Sequence, residues 1–206
     1  MNRIAIFTLT KNRIELTKQM LASLYKNTHI PFDHYIIDQG STDGTVEYLN
    51  DFNHQLGKLH IFSLNRNIGI NSGDNFALDK IGHETDIIVK LDNDALIMTD
   101  SWLEQCLAVL KPKMLISPYI LGLLVNRGGL PRYTYKNNLG YTFALGGICM
   151  IGYAKAWFED SGGFPACMPA DYHHDDIEFC GRLREKGYKF AYLESVVIKH
   201  ISEDLR

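Results

Sequence analysis

The stretch Asp86-Ile87-Ile88-Val89-Lys90-Leu91-Asp92-Asn93-Asp94 carries a strand-like, largely apolar segment straight into two carboxylates flanking an amide. A buried strand that breaks into the open at such a pair offers what a divalent metal holding a diphosphate needs. Hard cations such as Mg²⁺ and Mn²⁺ take oxygen ligands, keep some waters, and are usually held by one or two carboxylates together with the phosphates they bind. Asp and Asn also occur in plain turns, where they hydrogen-bond their own backbone. The neighbouring sequence decides between the two readings.

Outward from this stretch, strand and helix patterns alternate. Ile4, Ile6 and Leu9 lie in a β-rich run, and Leu16, Met20, Leu21, Leu24 and Tyr25 then form one apolar helical stripe. Tyr35-Ile36-Ile37 predicts a second strand ending at Asp38, followed by a Gly/Ser/Asp turn and a short helix carrying Val46, Leu49 and Phe52. Leu59 to Phe62 predicts a third strand, a Gly/Asn loop leads to a helix near Asn75 to Ile81, and Ile87 to Leu91 is the fourth strand. After the acidic turn, Ser101 and Glu104 have the spacing of a capping box. Trp102, Leu103, Cys106, Leu107 and Leu110 supply that helix's apolar face, and Pro112 stops it.

In the second half, Ala144 to Ile151 predicts a buried strand. A helix over Asp176 to Lys186, with Ile177, Cys180 and Leu183 inward, is ended by Gly187, and Phe190 to Leu193 and Val196 to Lys199 are two short final strands. The alternation predicts an α/β fold with a mostly parallel, Rossmann-like central sheet flanked by helices. Ligands of open α/β sheets bind beyond the carboxyl ends of the strands. Thr10, Asp38, the loop from Asn65 to Gly73 and Asp92 to Asp94 should therefore converge on one crevice.

A length of 206 residues predicts a single domain with one large core. The net charge of -3 gives no broad basic surface for a phosphate backbone, which disfavours nucleic acid as a bulk partner. Cys106, Cys149, Cys167 and Cys180 show no Cys-x-x-Cys pair and suit buried thiols in a reducing, cytoplasmic setting. The first residues enter a strand without the pattern of a signal peptide. The longest apolar run, Met114 to Val125, is too short to span a bilayer and contains Pro118 and Gly122, so no integral membrane segment is expected. Membrane contact, if any, would be peripheral, at the inner face.

Several residue groups carry chemistry. Asp38 and Gln39 can hydrogen-bond a nucleobase and ribose, while Thr42 and Asp43 read better as a turn and helix cap. Asn67 to Asn75 leads into a helix N-terminus, where free backbone N–H groups favour a diphosphate, although its glycines do not make a Gly-x-Gly-x-x-Gly pattern. Arg13 is near enough to the first strand end to approach the phosphates, or it is a surface arginine. His173-His174-Asp175-Asp176 precedes a helix, and capping needs only one of the four, so Asp175 or Asp176 is available to activate an acceptor alcohol. A lone strand-end histidine such as His200 is more often structural than a ligand. The histidines at 29, 34, 54, 60 and 83 show no metal-ligand spacing and are assigned no role.

The ordered set resembles the family 2 glycosyltransferases, whose members share the GT-A fold and transfer a sugar from a nucleotide diphosphate donor. The resemblance rests on Thr10-Lys11-Asn12-Arg13, Ile37 to Thr45, Asn67-Ile68-Gly69 with Gly73 and Asn75, and Leu91-Asp92-Asn93-Asp94. Gly146-Gly147, Gly162-Gly163-Phe164, Asp175 to Arg182, Gly187-Tyr188 and His200 extend it over nearly the whole chain. It implies a donor half over about residues 1–110 and an acceptor and catalytic-base half over about 111–206. By resemblance Asp94 ligates the metal, His200 completes the metal site, and Asp92 faces the donor ribose or the metal. Asp176, with Asp175 beside it, is the general base. Leu9, Thr10 and Lys11 with Asp38 and Gln39 form the nucleobase pocket, and Arg13, Asn67, Gly73 and Asn93 complete the nucleotide-sugar site. Gly147 and His174 belong to the sugar and acceptor pocket, and Arg182 supports the acidic pair.

The implied reaction is an inverting, Mn²⁺- or Mg²⁺-dependent transfer. A UDP-sugar is the first expectation for the donor, and a glycan, lipid-linked saccharide, protein or small molecule for the acceptor, with modified nucleic acid the least expected. Lys11 stands where an aromatic residue is often found, Asp175 where glutamate is common, and the chain ends soon after His200, as a minimal catalytic core would. A sugar nucleotidyltransferase would want a glycine-rich loop after the first strand, which Thr10 to Arg13 lacks. A non-catalytic nucleotide-sugar binder would not need Asp175-Asp176.

Overall fold

β1 (Ile4–Thr10) and β4 (Ile87–Leu91) lie side by side and parallel at the middle of the sheet, and their apolar side chains are buried because both faces are covered. The computed structural model describes residues 2–52, 56–122, 134–136, 138–165 and 175–201. From β1 the chain passes through α1 (Ile14–Asn27) to β2 (Asp33–Asp38), and through α2 (Thr45–Asp51) to β3 (Leu59–Ser63). It then returns by way of α3 (Ile70–Ile81) to β4 on the other side of β1. Strand order therefore reverses between β1 and β4, which opens a crevice at their carboxyl ends.

The second half comprises β5 (Ala95–Ile97), α4 (Trp102–Val109), β6 (Met114–Leu121), β7 (Thr134–Lys136), β8 (Leu139–Thr142), β9 (Cys149–Tyr153), a π-helical turn at Ala156–Asp160, α5 (Asp175–Glu185) and β10 (Lys189–His200). One sheet runs β3-β2-β1-β4-β9-β6-β10-β8-β7, with β5 also paired to β10. The expected parallel sheet holds from β3 to β4. Beyond β4, β9 is antiparallel to both neighbours, β10 is parallel to β6, and β8, β7 and β5 pair antiparallel, so the whole sheet is mixed.

Five further expectations change in the structure. The capping box is not formed: Ser101 is left-handed with no side-chain cap, and Glu104 instead accepts a 2.7 Å bond from the His29 amide. α3 begins at Ile70, several residues earlier than expected, because Gly69 at φ 89° turns the chain into it. The strand expected over Ala144 to Ile151 starts only at Cys149, and the two final strands are one, β10, irregular between Leu193 and Val197. In α5 the inward face is Phe179, Cys180 and Leu183, while Ile177 is half exposed. Phe179 stacks on Phe164 at 4.5 Å and lies 5.3 Å from Trp157, whose ring meets Phe7 of β1 edge-on. This aromatic column fixes α5, and Asp176 in its first turn, relative to the central sheet.

Cys106, Cys149 and Cys180 are free and buried, and burial pushes all three thiols upward; Cys167 lies outside the described residues. Among the described residues, no helix is long and apolar enough to cross a membrane.

Candidate active site

The acidic turn is clamped from three sides. Asp92 donates its backbone N–H to Ile148 at 2.9 Å, Ile201 donates to the Asp94 carbonyl at 2.8 Å, and the Asn93 amide donates to the hydroxyls of Thr10 and Thr17. The turn is thereby tied to the segment before β9, to the end of β10, and to β1 with α1. Asn93 has its amide directed into this clamp, which gives it a part in holding the turn.

Two left-handed residues set the opposite wall. Asn12 (φ 55°) and Arg13 (φ 63°) leave β1 in a conformation that costs ~1–3 kcal/mol for each such residue and persists only when neighbours impose it. The neighbours are in the β2–α2 loop: Ser41 Oγ accepts from the Asn12 amide, Asn12 Oδ1 accepts from Thr42, and Asp43 Oδ2 accepts from Ile14. Asp43 Oδ1 also accepts from the Thr45 hydroxyl and amide. The turn and cap expected at Thr42 and Asp43 is present, and it bolts the two loops together. Arg13 is left pointing at Asp94, with Nη1 3.1 Å from Oδ2.

Asp94 is 8% exposed, and His200 Nε2 lies 3.5 Å from the same Oδ2. Its other oxygen, Oδ1, is buried with no hydrogen-bond partner. A buried carboxylate oxygen without a partner is costly unless something further meets it. Among the described residues no cluster of three or more His, Cys, Asp or Glu is assembled to hold a metal alone. The Asp94 and His200 pair, with Asp92 two residues away, fits a hard cation that needs phosphate oxygens to complete its coordination.

Lys90 is a crevice residue that the sequence reading missed. It is 5% exposed, and its ammonium donates to Asp92 Oδ1 and to the Gly147 carbonyl, each at 2.7 Å. Burial acts to lower its pKa, but the carboxylates of Asp92, Asp74 and Asp176 outweigh that and hold it above the ordinary lysine value. The available signal was a lysine inside the otherwise apolar run from Ile87 to Leu91, since a charge in a buried strand requires partners. Gly147 meets Asp176 directly. A Cβ added there would lie 2.7 Å from Asp176 Oδ2 and 2.9 Å from Oδ1, so the carboxylate rests against the glycine backbone.

These groups surround one crevice of about 580 Å³. Of the expected site residues, Leu9, Thr10, Lys11, Arg13, Gln39, Asn67, Asp92, Asn93, Asp94, Gly147, Asp176 and His200 line it. Lys90, Ile70, Gly146 and Ile148 line it as well, unanticipated. Asp38 and Gly73 do not. Asp38 is buried behind the wall, where Oδ1 accepts from the amides of Gly40 and Ser41 to hold the turn, while Oδ2 has no hydrogen-bond partner. Gly73 lies within α3, where a Cβ would come 2.9 Å from Leu9 and 3.2 Å from Gln39, so its role is to let the helix approach the crevice wall. Gln39 accepts from the Ile68 amide, and Asn67 accepts from Gly69. Asp175 is the first residue of α5, and His174 lies outside the described residues.

Solved structures share this fold. A mannosyltransferase, PcManGT from Pyrobaculum calidifontis, in complex with GDP-Man and Mn²⁺, superposes with a TM-score of 0.73 at 18% identity over 98% of this chain and 58% of that one. S. aureus TarS 1-349 in complex with UDP-GlcNAc gives 0.72 at 18% identity over 97% and 59%. GalNAc-T7 with UDP, GalNAc and Mn²⁺ gives 0.74 at 14% identity over 98% and 44%. The chain thus spans about three fifths or less of the length of these structures. Among curated proteins none matches the sequence. The model for glycosyl transferase family 2 matches residues 5–118, more than half of the chain, and with the GT-A architecture and the crevice already described, the chain belongs to that family.

Proposed function

We propose that the chain transfers a sugar from a nucleoside-diphosphate sugar to an acceptor hydroxyl, with inversion at the anomeric carbon and with dependence on a divalent metal. The observation that carries this reading is the single crevice whose lining holds Asp94 and His200 together at one point and Asp176 against Gly147 at another. Its volume falls within the range of small-ligand sites. The loop after β1 has no glycine-rich phosphate cradle of the kind a nucleotidyltransferase would use.

Asp176 takes the proton of the acceptor hydroxyl as its oxygen attacks the anomeric carbon. The bond from that carbon to the diphosphate breaks on the opposite side, and the nucleoside diphosphate leaves with the electron pair. Asp94 and His200, with Asp92, would hold Mn²⁺ or Mg²⁺, which when bound neutralises charge developing on the leaving diphosphate. Arg13 supplies a further cation at the same corner. Leu9, Thr10, Lys11 and Gln39 form the end of the crevice suited to base and ribose. PcManGT is in complex with GDP-Man and TarS with UDP-GlcNAc, which supports a nucleotide sugar as the donor class, with UDP-sugars tested first and GDP-sugars alongside. The buried free thiols suit a cytoplasmic setting.

The test is nucleoside diphosphate release from a panel of UDP- and GDP-sugars with Mn²⁺, with and without added acceptors. Loss of a general base typically costs ~10²–10⁴-fold, so Asp176→Asn should drop turnover by that order while nucleotide binding persists. Turnover by Asp176→Asn equal to wild type, with normal binding, would remove Asp176 from this role.

A further inference from the structure

We propose that Lys90 is a positioning residue that holds the donor-side carboxylate of Asp92 and the Gly147 loop, against which Asp176 rests, in one frame. The inference rests on the donor-site reading above and adds to it a residue that bonds the acidic turn to the segment before β9.

The geometry follows from the sheet. Side chains two residues apart on a strand point to the same face, so Lys90, one residue before the end of β4, lies on the face toward which Asp92 continues. Nζ reaches forward to Asp92 Oδ1 at 2.7 Å. β9 runs antiparallel beside β4 with Met150 opposite Lys90, which brings the segment just before β9 alongside the same ammonium, and Nζ donates to the Gly147 carbonyl at 2.7 Å. One cation therefore bonds two segments far apart in sequence that both line the crevice. The Gly147 backbone is also what Asp176 leans on, at distances that leave no room for a Cβ. A shift of the Gly147 peptide would move the floor under Asp176, and a rotation of Asp92 would change what it presents to the donor.

A buried ammonium is costly without partners, and an apolar residue would satisfy β4 as a strand. Here the ammonium has a carboxylate and a carbonyl within hydrogen-bond distance and the carboxylates of Asp74 and Asp176 nearby. Outer partners that orient liganding groups typically matter by ~10–100-fold in affinity or activity.

The two arms can be tested separately with Lys90→Met, Asp92→Asn and their double variant. UDP and GDP affinity with Mn²⁺ is read by calorimetry, without turnover, and kcat is read as nucleoside diphosphate release per folded molecule, with folding checked by circular dichroism. Lys90→Met alone should lower both affinity and kcat by about tenfold or more. In the Asp92→Asn background the donor arm is already gone, so adding Lys90→Met should leave affinity within about threefold while still lowering kcat about tenfold through Gly147. The double variant removes the buried pair as a unit, so it serves if the single one fails to fold. Wild-type kcat in folded Lys90→Met, or equal kcat in Asp92→Asn and the double variant, overturns the inference. So does an affinity loss that is fully additive. A wild-type chain that binds neither nucleotide overturns the donor reading instead, and the inference falls with it.

Discussion

At the scale of single residues, the site depends on contacts too close to admit change. Gly147 is the clearest case, because its role is the absence of a Cβ beside the Asp176 carboxylate. Gly147→Ala places a methyl within 3 Å of both oxygens and must displace them, and a misplacement of ~1 Å in a reacting group can cost ~10²-fold in rate. Kinetics of Gly147→Ala should show kcat down by at least about tenfold with nucleotide affinity close to wild type, since the donor corner at Asp94 is untouched. Asp43 gives a prediction in pH. Burial works to raise its carboxyl, but the Thr45 hydroxyl and the amides of Ile14 and Thr45 outweigh that and hold it below the ordinary carboxylate value. A carboxyl depressed in the folded state stabilises above its unfolded value, ~3.9, and loses that stabilisation as pH falls through the folded value. Asp43→Ala should therefore melt below wild type at neutral pH, with the difference closing below about pH 4. Asp94 and Asp176 stood out in the sequence because one follows a strand end and the other opens a helix, each beside other polar residues, whereas His200 entered only through the family resemblance; all three line the crevice. Lys90 was harder to see, since its partners come from residues 92 and 147 and only the pairing of β4 with β9 brings them together.

At the scale of elements, α5 is held by its aromatic face more than by its own propensity. Phe179 is fully buried between Phe164 and Trp157, and truncating such a ring to alanine typically costs ~3–5 kcal/mol. Phe179→Ala should lower the urea midpoint accordingly with little change in slope, whereas Ile177→Ala, half exposed on the same helix, should stay within about 0.5 kcal/mol. Equal losses for the two would mean that α5 docks on a different face. Ile177 and Phe179 are both apolar in the sequence, and the choice between them is made by Trp157 and Phe164, which arrive from other segments. The same dependence explains the other shifts. Strands β1 to β4 were legible from their continuous apolar runs and the turns that follow them. The start of β9 was not, because Ala144 to Ile148 is as apolar as a strand yet its last three residues line the crevice, with the Gly146 amide bonded to the Tyr192 hydroxyl and Gly147 bonded to Lys90. Glu104 had the spacing of a cap, but the His29 amide across a loop claimed it.

At the scale of the whole molecule, the crevice brings three carboxylates together with a lysine, an arginine and a histidine. Asp92, Asp94 and Asp176 face a cavity in which Lys90, Arg13 and His200 stand, and Asp94 retains a buried oxygen with no hydrogen-bond partner. A diphosphate alone would add negative charge beside these carboxylates, and a divalent cation alone would find too few protein ligands among the described residues. Each therefore needs the other, so binding should be strongly cooperative. Because ligand binding to the folded state alone stabilises it by RT ln(1 + [L]/Kd), about 100-fold saturation is worth ~2.7 kcal/mol. For a domain of this size each kcal/mol raises Tm by roughly 2–4 °C, so Mn²⁺ with the preferred nucleoside diphosphate should raise Tm by roughly 5–11 °C. Mn²⁺ alone and nucleotide with chelator should each give a small fraction of that shift, and Asp94→Asn should abolish the difference between the combination and its parts. A full shift from nucleotide in the presence of chelator would show that Arg13 and Lys90 suffice for the diphosphate, and it would take Asp94 and His200 out of a metal site.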